Sequence, residues 1–174
     1  MRRHPTGRFF SRKRSASSLG LIEFGWTVCL IIDANVVHQV LLRQDDADFR
    51  DVSARLFGAD KATASVVYGG RLLVEYQTSE QVMRVLRLLD QAGRARAIPS
   101  DQVDEETRRV SKSELCVSND PHIIALARVS KVRLLCSRDR ALHNDFTNKR
   151  LLDSPRGKVY QKRSHKRLLV RFCG

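Results

Sequence analysis

Two aspartates follow apolar segments of strand length, a placement suited to metal chemistry. Asp33 comes directly after the five apolar residues 28–32, and Asp139 comes three residues after the mostly apolar run 132–136. Because ligands collect at the carboxyl ends of parallel strands, both carboxylates are expected at one edge of a sheet. Clustered carboxylates repel one another, and a hard divalent cation such as Mg²⁺ or Mn²⁺ relieves that repulsion. Such a centre suits hydrolysis of phosphodiester bonds.

A third aspartate stands at the predicted start of a helix. The segment Ser118-Asn119-Asp120-Pro121 combines a capping side chain with a proline at the first helical position. Apolar residues recur from Ile123 to Ala127, so the predicted helix can pack on a sheet. A carboxylate has two oxygens, which makes capping and metal binding compatible at Asp120.

The elements that would position these acids alternate between strand and helix. Buried strands are predicted at 28–32 and 132–136, and 94–98 has the length of a further strand. This alternation predicts the α/β class, with a central, mostly parallel sheet. Helical spacing of apolar residues is found at 34–42, 72–76, 80–91, 123–127 and 141–146, and a turn is predicted at 99–101.

Four segments, in this order and spacing, resemble the motifs of PIN-domain nucleases. In that family a strand delivers the first acid, a helix the second, a helix start the third, and a strand-end hydroxyl with an acid completes the cluster. The resemblance covers about residues 28–147. The four segments are 31–35 (IIDAN), 68–76 (YGGRLLVEY), 118–127 (SNDPHIIALA) and 134–139 (LLCSRD).

The resemblance implies a PIN-like three-layer α/β/α fold and a nuclease that depends on Mg²⁺ or Mn²⁺. Members of the family are commonly endoribonucleases, including the toxins of VapBC-type toxin–antitoxin pairs. It therefore implies RNA as substrate, an antitoxin as partner protein and homodimer formation. Asn35 and Ser137 are expected to hydrogen-bond to the metal ligands. The implied ligands, which are also the catalytic residues, are Asp33, Glu75, Asp120 and Asp139.

Basic residues are concentrated at the two ends of the chain. The formal net charge is +13; residues 1–18 hold six basic residues and no acid, and residues 149–174 hold nine against one acid. Nucleic acid is a natural partner of such ends. We predict a disordered basic extension (1–26), a nuclease domain (27–148) and a basic C-terminal tail (149–174). The predicted contacts to substrate phosphates are Arg71, Arg138, Arg156 and Lys158.

The cysteines and the hydropathy pattern indicate a cytoplasmic protein. No run reaches the roughly 18 apolar residues needed to cross a bilayer, so no membrane association is predicted. The spacing of the cysteines matches no zinc motif, and we predict reduced thiols in a reducing compartment. The cysteines are Cys29, Cys116, Cys136 and Cys173.

Each acid also has a structural alternative. Asp33 and Asp120 could cap the helices that follow them. Glu75 lies four residues after Arg71, which is the spacing of a helical ion pair. Asp139 could be a turn residue, in which case Asp145 on the next helix would be the substitute ligand.

The remaining polar residues have structural interpretations. His122 and His143 are predicted to be surface or partly buried helix residues, since a Mg²⁺ site prefers oxygen ligands. The aspartates in the range 45–51 lack the glycine and glutamate of a calcium loop and are predicted to be a solvated helix end.

Two other functions are compatible with the same sequence. A DNA-directed nuclease for defence or repair would use the same acids. A non-catalytic RNA-binding module would keep the fold and give the acids structural roles. Retention of all four acids favours a nuclease over the binding module.

Overall fold

Five short strands form one parallel sheet in the described part of the chain. The computed structural model describes residues 28–58 and 63–174. The strands are β1 (Leu30–Ile32), β2 (Val66–Gly69), β3 (Ala95–Ile98), β4 (Leu134–Cys136) and β5 (Lys158–Tyr160). Their order is β3-β2-β1-β4-β5, and every neighbouring pair is parallel. The basic extension predicted at 1–26 lies outside the described residues.

Helices flank the sheet, which gives a three-layer α/β/α architecture and confirms the predicted fold class. None of the helices within 28–58 and 63–174 is long and apolar enough to cross a membrane. They are α1 (Val37–Leu41), α2 (Arg50–Phe57), α3 (Gly70–Gln77), α4 (Glu80–Gln91), α5 (Ser100–Lys112), α6 (Pro121–Ser130), α7 (Arg140–Phe146) and α8 (Lys166–Cys173), with a 3₁₀ turn at Arg163–His165.

The central strands are buried on both faces, as their apolar sequences predict. Every residue of β1 and β4 is inaccessible to solvent, which is the pattern of a parallel sheet covered by helices. The helix α6 is buried over most of its circumference because residues 123–127 are all apolar and solvent-inaccessible. The core therefore lies directly beneath the carboxyl ends of the two strands that carry the predicted acids.

The strand order reverses at β1, and this topology positions the site. The chain moves from β1 outward through β2 to β3, then returns to β4 on the other side of β1. The register pairs Ile32 with Cys136, so both strands end at the same level. The amide of Asp33 donates to the carbonyl of Cys136 at 2.9 Å. In doubly wound sheets, ligands bind in the crevice at such a reversal.

The prediction that a basic tail begins at residue 149 was wrong, because this segment contributes a strand and a helix to the fold. The strand β5 pairs with β4, and Tyr160 is fully buried. Leu151, Leu152 and Leu169 are also buried. The many basic residues of this segment lie between apolar positions that contribute to the core, and the net charge obscured this spacing.

Besides α8, the helices α2 and α5 were missed, and one predicted turn is a helix start. Pro99 is the N-cap of α5, which begins at Ser100 within the predicted turn. The long connection after that turn is therefore helical. In α2, Val52 and Leu56 are buried one turn apart. Only a few apolar residues mark each of these helices, so hydrophobic periodicity gave a weak signal.

The prediction of four reduced cysteines was wrong for two of them. Cys29 and Cys173 form a disulfide that links the residue before β1 to the end of α8. Cys116 and Cys136 are free thiols. The partner of Cys29 is 144 residues away in the sequence, and proximity over that separation depends on the docking of α8, which was not predicted.

Candidate metal centre

Asp33 is held at the end of β1 by a hydroxyl from the neighbouring strand end. The side chain of Ser137 donates to Oδ2 of Asp33 at 2.7 Å, and Ser137 is fully buried. Asp33 does not cap α1, whose N-cap is Val36. The contact of Asn35 is made by its backbone amide, 3.4 Å from Oδ1 of Asp33. The buried carboxylate is thus oriented without serving the helix that follows.

Asp120 stands at the start of α6 with its carboxylate uncommitted. Although Asp120 occupies the N-cap position, its side chain makes no capping hydrogen bond. The proline at position 121 removes one of the amides that would otherwise need a partner. A role for this carboxylate as a cap alone is therefore contradicted by the structure.

Asp145 fixes the loop that leads to Asp120 and is not a substitute ligand. Its carboxylate accepts hydrogen bonds from the amides of Val117 and Ser118, at 3.1 and 2.7 Å, and from the thiol of Cys116 at 3.1 Å. Burial opposes its ionisation, but these hydrogen bonds prevail and lower the pKa of Asp145. The residue has a positioning role that the sequence alone did not reveal.

Glu75 lies on α3, which begins with a sharp turn out of β2. Gly70 has φ of +54°, and a Cβ at this position would lie 2.7 Å from a methyl group of Val103 on α5. This conformation and close approach require glycine. The buried hydroxyl of Tyr76 donates to the carbonyl of Ile32. That contact ties α3 to the end of β1 and sets the position of Glu75 relative to Asp33.

Asp139 caps α7 as well as standing in the predicted cluster. Its Oδ1 accepts from the amide of Leu142 at 2.9 Å. Its own amide donates to the hydroxyl of Ser137 at 3.0 Å. The hydroxyl of Ser137 therefore links the acids at the ends of β1 and β4. One oxygen of Asp139 is committed to the cap, and Oδ2 remains for other contacts.

The structure brings three side chains close enough to hold one cation, and one of them is a histidine. One ligand atom from each of Glu75, Asp120 and His122 lies within 4.8 Å of the others. His122 is 2% exposed, and its two ring nitrogens have no hydrogen-bond partner among the described residues. Burying an unpaired polar group usually costs about 1–3 kcal/mol. Asp33 and Asp139 are not members of this closest group.

The acids form one electrostatically coupled cluster. Burial raises the pKa of Asp33, and the charges of Asp120 and Asp139 add to that effect. Burial also raises the pKa of Asp120, with attraction to His122 opposing it and repulsion from Glu75 and Asp139 adding to it. A bound divalent cation would relieve this repulsion, so the donor set fits such an ion.

Burial lowers the pKa of His122, against the attraction of Glu75 and Asp120. Nε2 of His122 lies 3.6 Å from Oε2 of Glu75, which is too far for a hydrogen bond. The neutral imidazole is the form that binds metals. The sequence predicted a structural histidine at this position, and the structure places His122 beside two carboxylates. Its position two residues after Asp120 was the one local signal of this proximity.

The four predicted phosphate contacts are dispersed. Nε of Arg71 lies 3.0 Å from Oε1 of Glu75, forming the helical ion pair that was the alternative for Glu75. Arg138 pairs with Asp48 at 2.9 Å, so part of the predicted solvated helix end binds an arginine. Arg156 and Lys158 lie before and at the start of β5, toward the amino ends of the strands and away from the acids.

His143 is half-buried on α7, as predicted for a structural histidine. One of its ring nitrogens lies 2.9 Å from the carbonyl of Ser137, and the other lies 2.8 Å from the side-chain amide of Gln161. With both nitrogens occupied, His143 supports the strand end that carries Ser137. It thereby contrasts with His122, whose nitrogens have no such partners in the described residues.

Comparison with known protein families finds no match, and neither does comparison with curated proteins. Among solved structures, VapBC2 from Rickettsia felis bound to a DNA fragment from their promoter is similar over 77% of this chain and 100% of its own. The sequence identity is 12% and the TM-score is 0.43.

Proposed function

We propose that this protein is a divalent-cation-dependent endoribonuclease. The observation that carries the proposal is the group formed by Glu75, Asp120 and His122, whose ligand atoms lie within 4.8 Å of one another beside the reversal in strand order. Asp33 and Asp139 extend it with two further acids that are electrostatically coupled to Asp120. The motif resemblance of the four acids to PIN-domain nucleases supports the same reaction.

In this proposal the acids hold Mg²⁺ or Mn²⁺, and neighbouring groups fix their orientation. An ion held there would activate a water and neutralise charge on the phosphate. Ser137 holds the carboxylate of Asp33 through its 2.7 Å hydrogen bond. Asp145 fixes the loop before Asp120 through two backbone amides. These supports keep the carboxylates in place in the absence of substrate, so less reorganisation is needed on binding.

Arg71 is the basic residue best placed to contact a substrate phosphate. It touches Glu75, and 64% of its side chain is exposed. A guanidinium can bind carboxylate and phosphate oxygens through separate N–H groups. The net charge of +13 favours a polyanionic substrate. RNA is preferred over DNA in this proposal on the basis of the motif resemblance.

The test is cleavage of end-labelled RNA and single-stranded DNA of matched sequence, with Mg²⁺, Mn²⁺ or EDTA. Asp120→Asn removes one proposed ligand charge. Asp153→Asn is the matched control, because Asp153 is exposed and precedes β5 at the amino end of the sheet. We expect cation-dependent cutting of RNA by wild type and the control, reduced about 100-fold or more in Asp120→Asn. Preferential cutting of DNA would contradict the proposed substrate.

The resemblance to VapBC-type toxins extends the proposal to an antitoxin that occludes the cluster. A partner that inserts a lysine or arginine would satisfy the acidic group in place of the cation. Expression of wild type, Asp33→Asn and Asp153→Asn in a host tests this role. Slower growth with wild type and the control, and normal growth with Asp33→Asn, is expected. Equal growth with all three, at equal levels of active protein, would contradict the toxin role.

A further inference from the structure

His122 is buried where a histidine would normally require a hydrogen-bond partner. Both ring nitrogens are shielded from solvent, and neither has a partner within residues 28–58 and 63–174. Buried polar groups in folded proteins are nearly always satisfied by protein, water or an ion. His122 is therefore a donor or acceptor that can bind a group from outside residues 28–58 and 63–174.

The surroundings of His122 indicate which group that is. Burial of α6 alone would explain an apolar residue at this position, as at Ile123 and Ile124, which are fully buried. A histidine used only for packing would be expected to have bonded nitrogens, as His143 does. The ligand atoms of Glu75 and Asp120 lie within 4.8 Å of a ring nitrogen of His122. Two carboxylates and one neutral imidazole form a metal-binding donor set.

We propose that His122 is a nitrogen ligand of this centre, and that the centre selects Mn²⁺ over Mg²⁺. This inference rests on the cation site of the proposed function and specifies its ion. Mg²⁺ takes oxygen ligands almost exclusively and keeps several waters. Imidazole is a ligand of first-row transition metals, the class to which Mn²⁺ belongs, and carboxylates suit Mn²⁺ as they suit Mg²⁺. A nitrogen ligand beside Glu75 and Asp120 therefore adds affinity for Mn²⁺ that Mg²⁺ cannot gain.

The position of His122 on α6 is consistent with this role. Asp120 is the N-cap, Pro121 follows as the first helical residue, and His122 comes next. The loop before them is fixed by Asp145, through the amides of Val117 and Ser118. The same short segment thus presents a carboxylate and an imidazole to Glu75 on α3, and both are positioned before an ion binds.

The direct test is pulsed electron paramagnetic resonance of Mn²⁺ bound to the full chain. A ¹⁴N nucleus bonded to Mn²⁺ modulates the electron spin echo, and a histidine that only packs nearby gives no such coupling. We expect the ¹⁴N modulation in wild type and its loss in His122→Asn. Bound Mn²⁺ with no nitrogen coupling in wild type would overturn the proposal, and this measurement does not depend on a variant that folds.

Affinity measurements provide the second readout. Titration calorimetry with Mn²⁺ and with Mg²⁺ should show at least about tenfold tighter binding of Mn²⁺ by wild type, with His122→Asn losing about tenfold or more of that affinity. Affinity for Mg²⁺ should change less than about threefold. His38→Asn is the control, because His38 is exposed on α1, and it should bind Mn²⁺ as wild type does. Equal Mn²⁺ affinity in wild type and His122→Asn would overturn the assignment.

These measurements separate this inference from the proposed function. Nitrogen-coupled Mn²⁺ in a protein that leaves RNA intact would retain the ligand assignment and reject the nuclease. Cation-dependent RNA cleavage, with the same Mn²⁺ affinity in wild type and His122→Asn, would retain the nuclease and reject the ligand.

Discussion

Asp120→Asn should make the cation-free protein more stable while removing its response to cations. The carboxylate of Asp120 makes no capping hydrogen bond, so asparagine loses little in local structure. What the substitution removes is a negative charge next to Glu75 and coupled to Asp139. If Asp120 serves ion binding at the expense of stability, its substitution should raise the stability of the cation-free protein and reduce the stabilisation by the cation.

The expected gain in stability of the cation-free variant follows from the distance between the two carboxylates. Ligand atoms of Glu75 and Asp120 are at most 4.8 Å apart. Two unit charges at that separation repel by about 0.9 kcal/mol in water and about 3.5 kcal/mol at an effective dielectric constant of 20. Attraction to Arg71, which pairs with Glu75, offsets part of this, leaving a gain of about 1–2 kcal/mol. For a domain of this size, that gain raises Tm by about 2–8 °C.

The gain should also depend on pH. The pKa of Asp120 is raised above 3.8, first by burial and then by its acidic neighbours. A carboxyl group with a raised folded-state pKa stabilises the fold below the unfolded value and loses that contribution as pH rises through the folded value. The Asp120→Asn variant has no carboxyl group at this position, so it does not lose stability in this way as the pH rises. Its advantage in Tm should therefore be small below pH 3.8 and increase toward neutral pH.

Scanning calorimetry in EDTA and in excess Mn²⁺ measures both effects. Wild type and Asp153→Asn should gain Tm when the ion is added, because an ion that binds the folded state stabilises it. Asp120→Asn should begin higher in EDTA and gain little. A lower Tm for Asp120→Asn in EDTA would refute the reasoning, since it would show that the carboxylate supports the fold.

Three further predictions test the supports of the site. Ser137→Ala should weaken cation binding about tenfold. The hydrogen bond from Ser137 lowers the pKa of Asp33, so its loss should raise that pKa and shift the acidic limb of the activity profile to higher pH. An unchanged profile would contradict this. Asp145→Ala leaves part-buried donors without their partner, including the amide of Ser118, and should lower stability by about 1–3 kcal/mol in urea denaturation. An unchanged midpoint would contradict the anchoring role. A chain ending at Asn148 lacks β5 and α8 and should lose the circular dichroism of the folded protein, whereas retention of a cooperative unfolding transition would contradict their place in the core.

Much of the fold could be predicted from hydrophobic patterning because the central strands are buried on both faces. The run that ends at Ile32 becomes β1, and the run that ends at Cys136 becomes β4. The predicted helix at 80–91 matches α4 residue for residue. Where apolar residues are sparse between charges, as around Val159 and Leu169, the same method failed. Their burial depends on contacts with distant parts of the chain.

The site was partly predictable for a similar reason. The places of Asp33 at a strand end and of Asp120 at a helix start were predictable, because both are local signals. The burial of His122 and the hydrogen bonds of Asp145 were not predicted, because both depend on three-dimensional neighbours. His122 stands out because its buried ring nitrogens have no hydrogen-bond partner among the described residues. Asp145 is defined by amides 27 and 28 residues earlier in the chain.

The most direct test of the central claim is RNA cleavage by protein that has been stripped of metal and then resupplied with Mn²⁺ or Mg²⁺. Wild type, Asp33→Asn and Asp153→Asn would be purified identically and compared over a range of protein concentrations. The account predicts no cleavage before the cation is added, cleavage by wild type and Asp153→Asn afterwards, and little by Asp33→Asn. Equal cleavage by Asp33→Asn and wild type, or intact RNA with folded, cation-bound wild type, would contradict it.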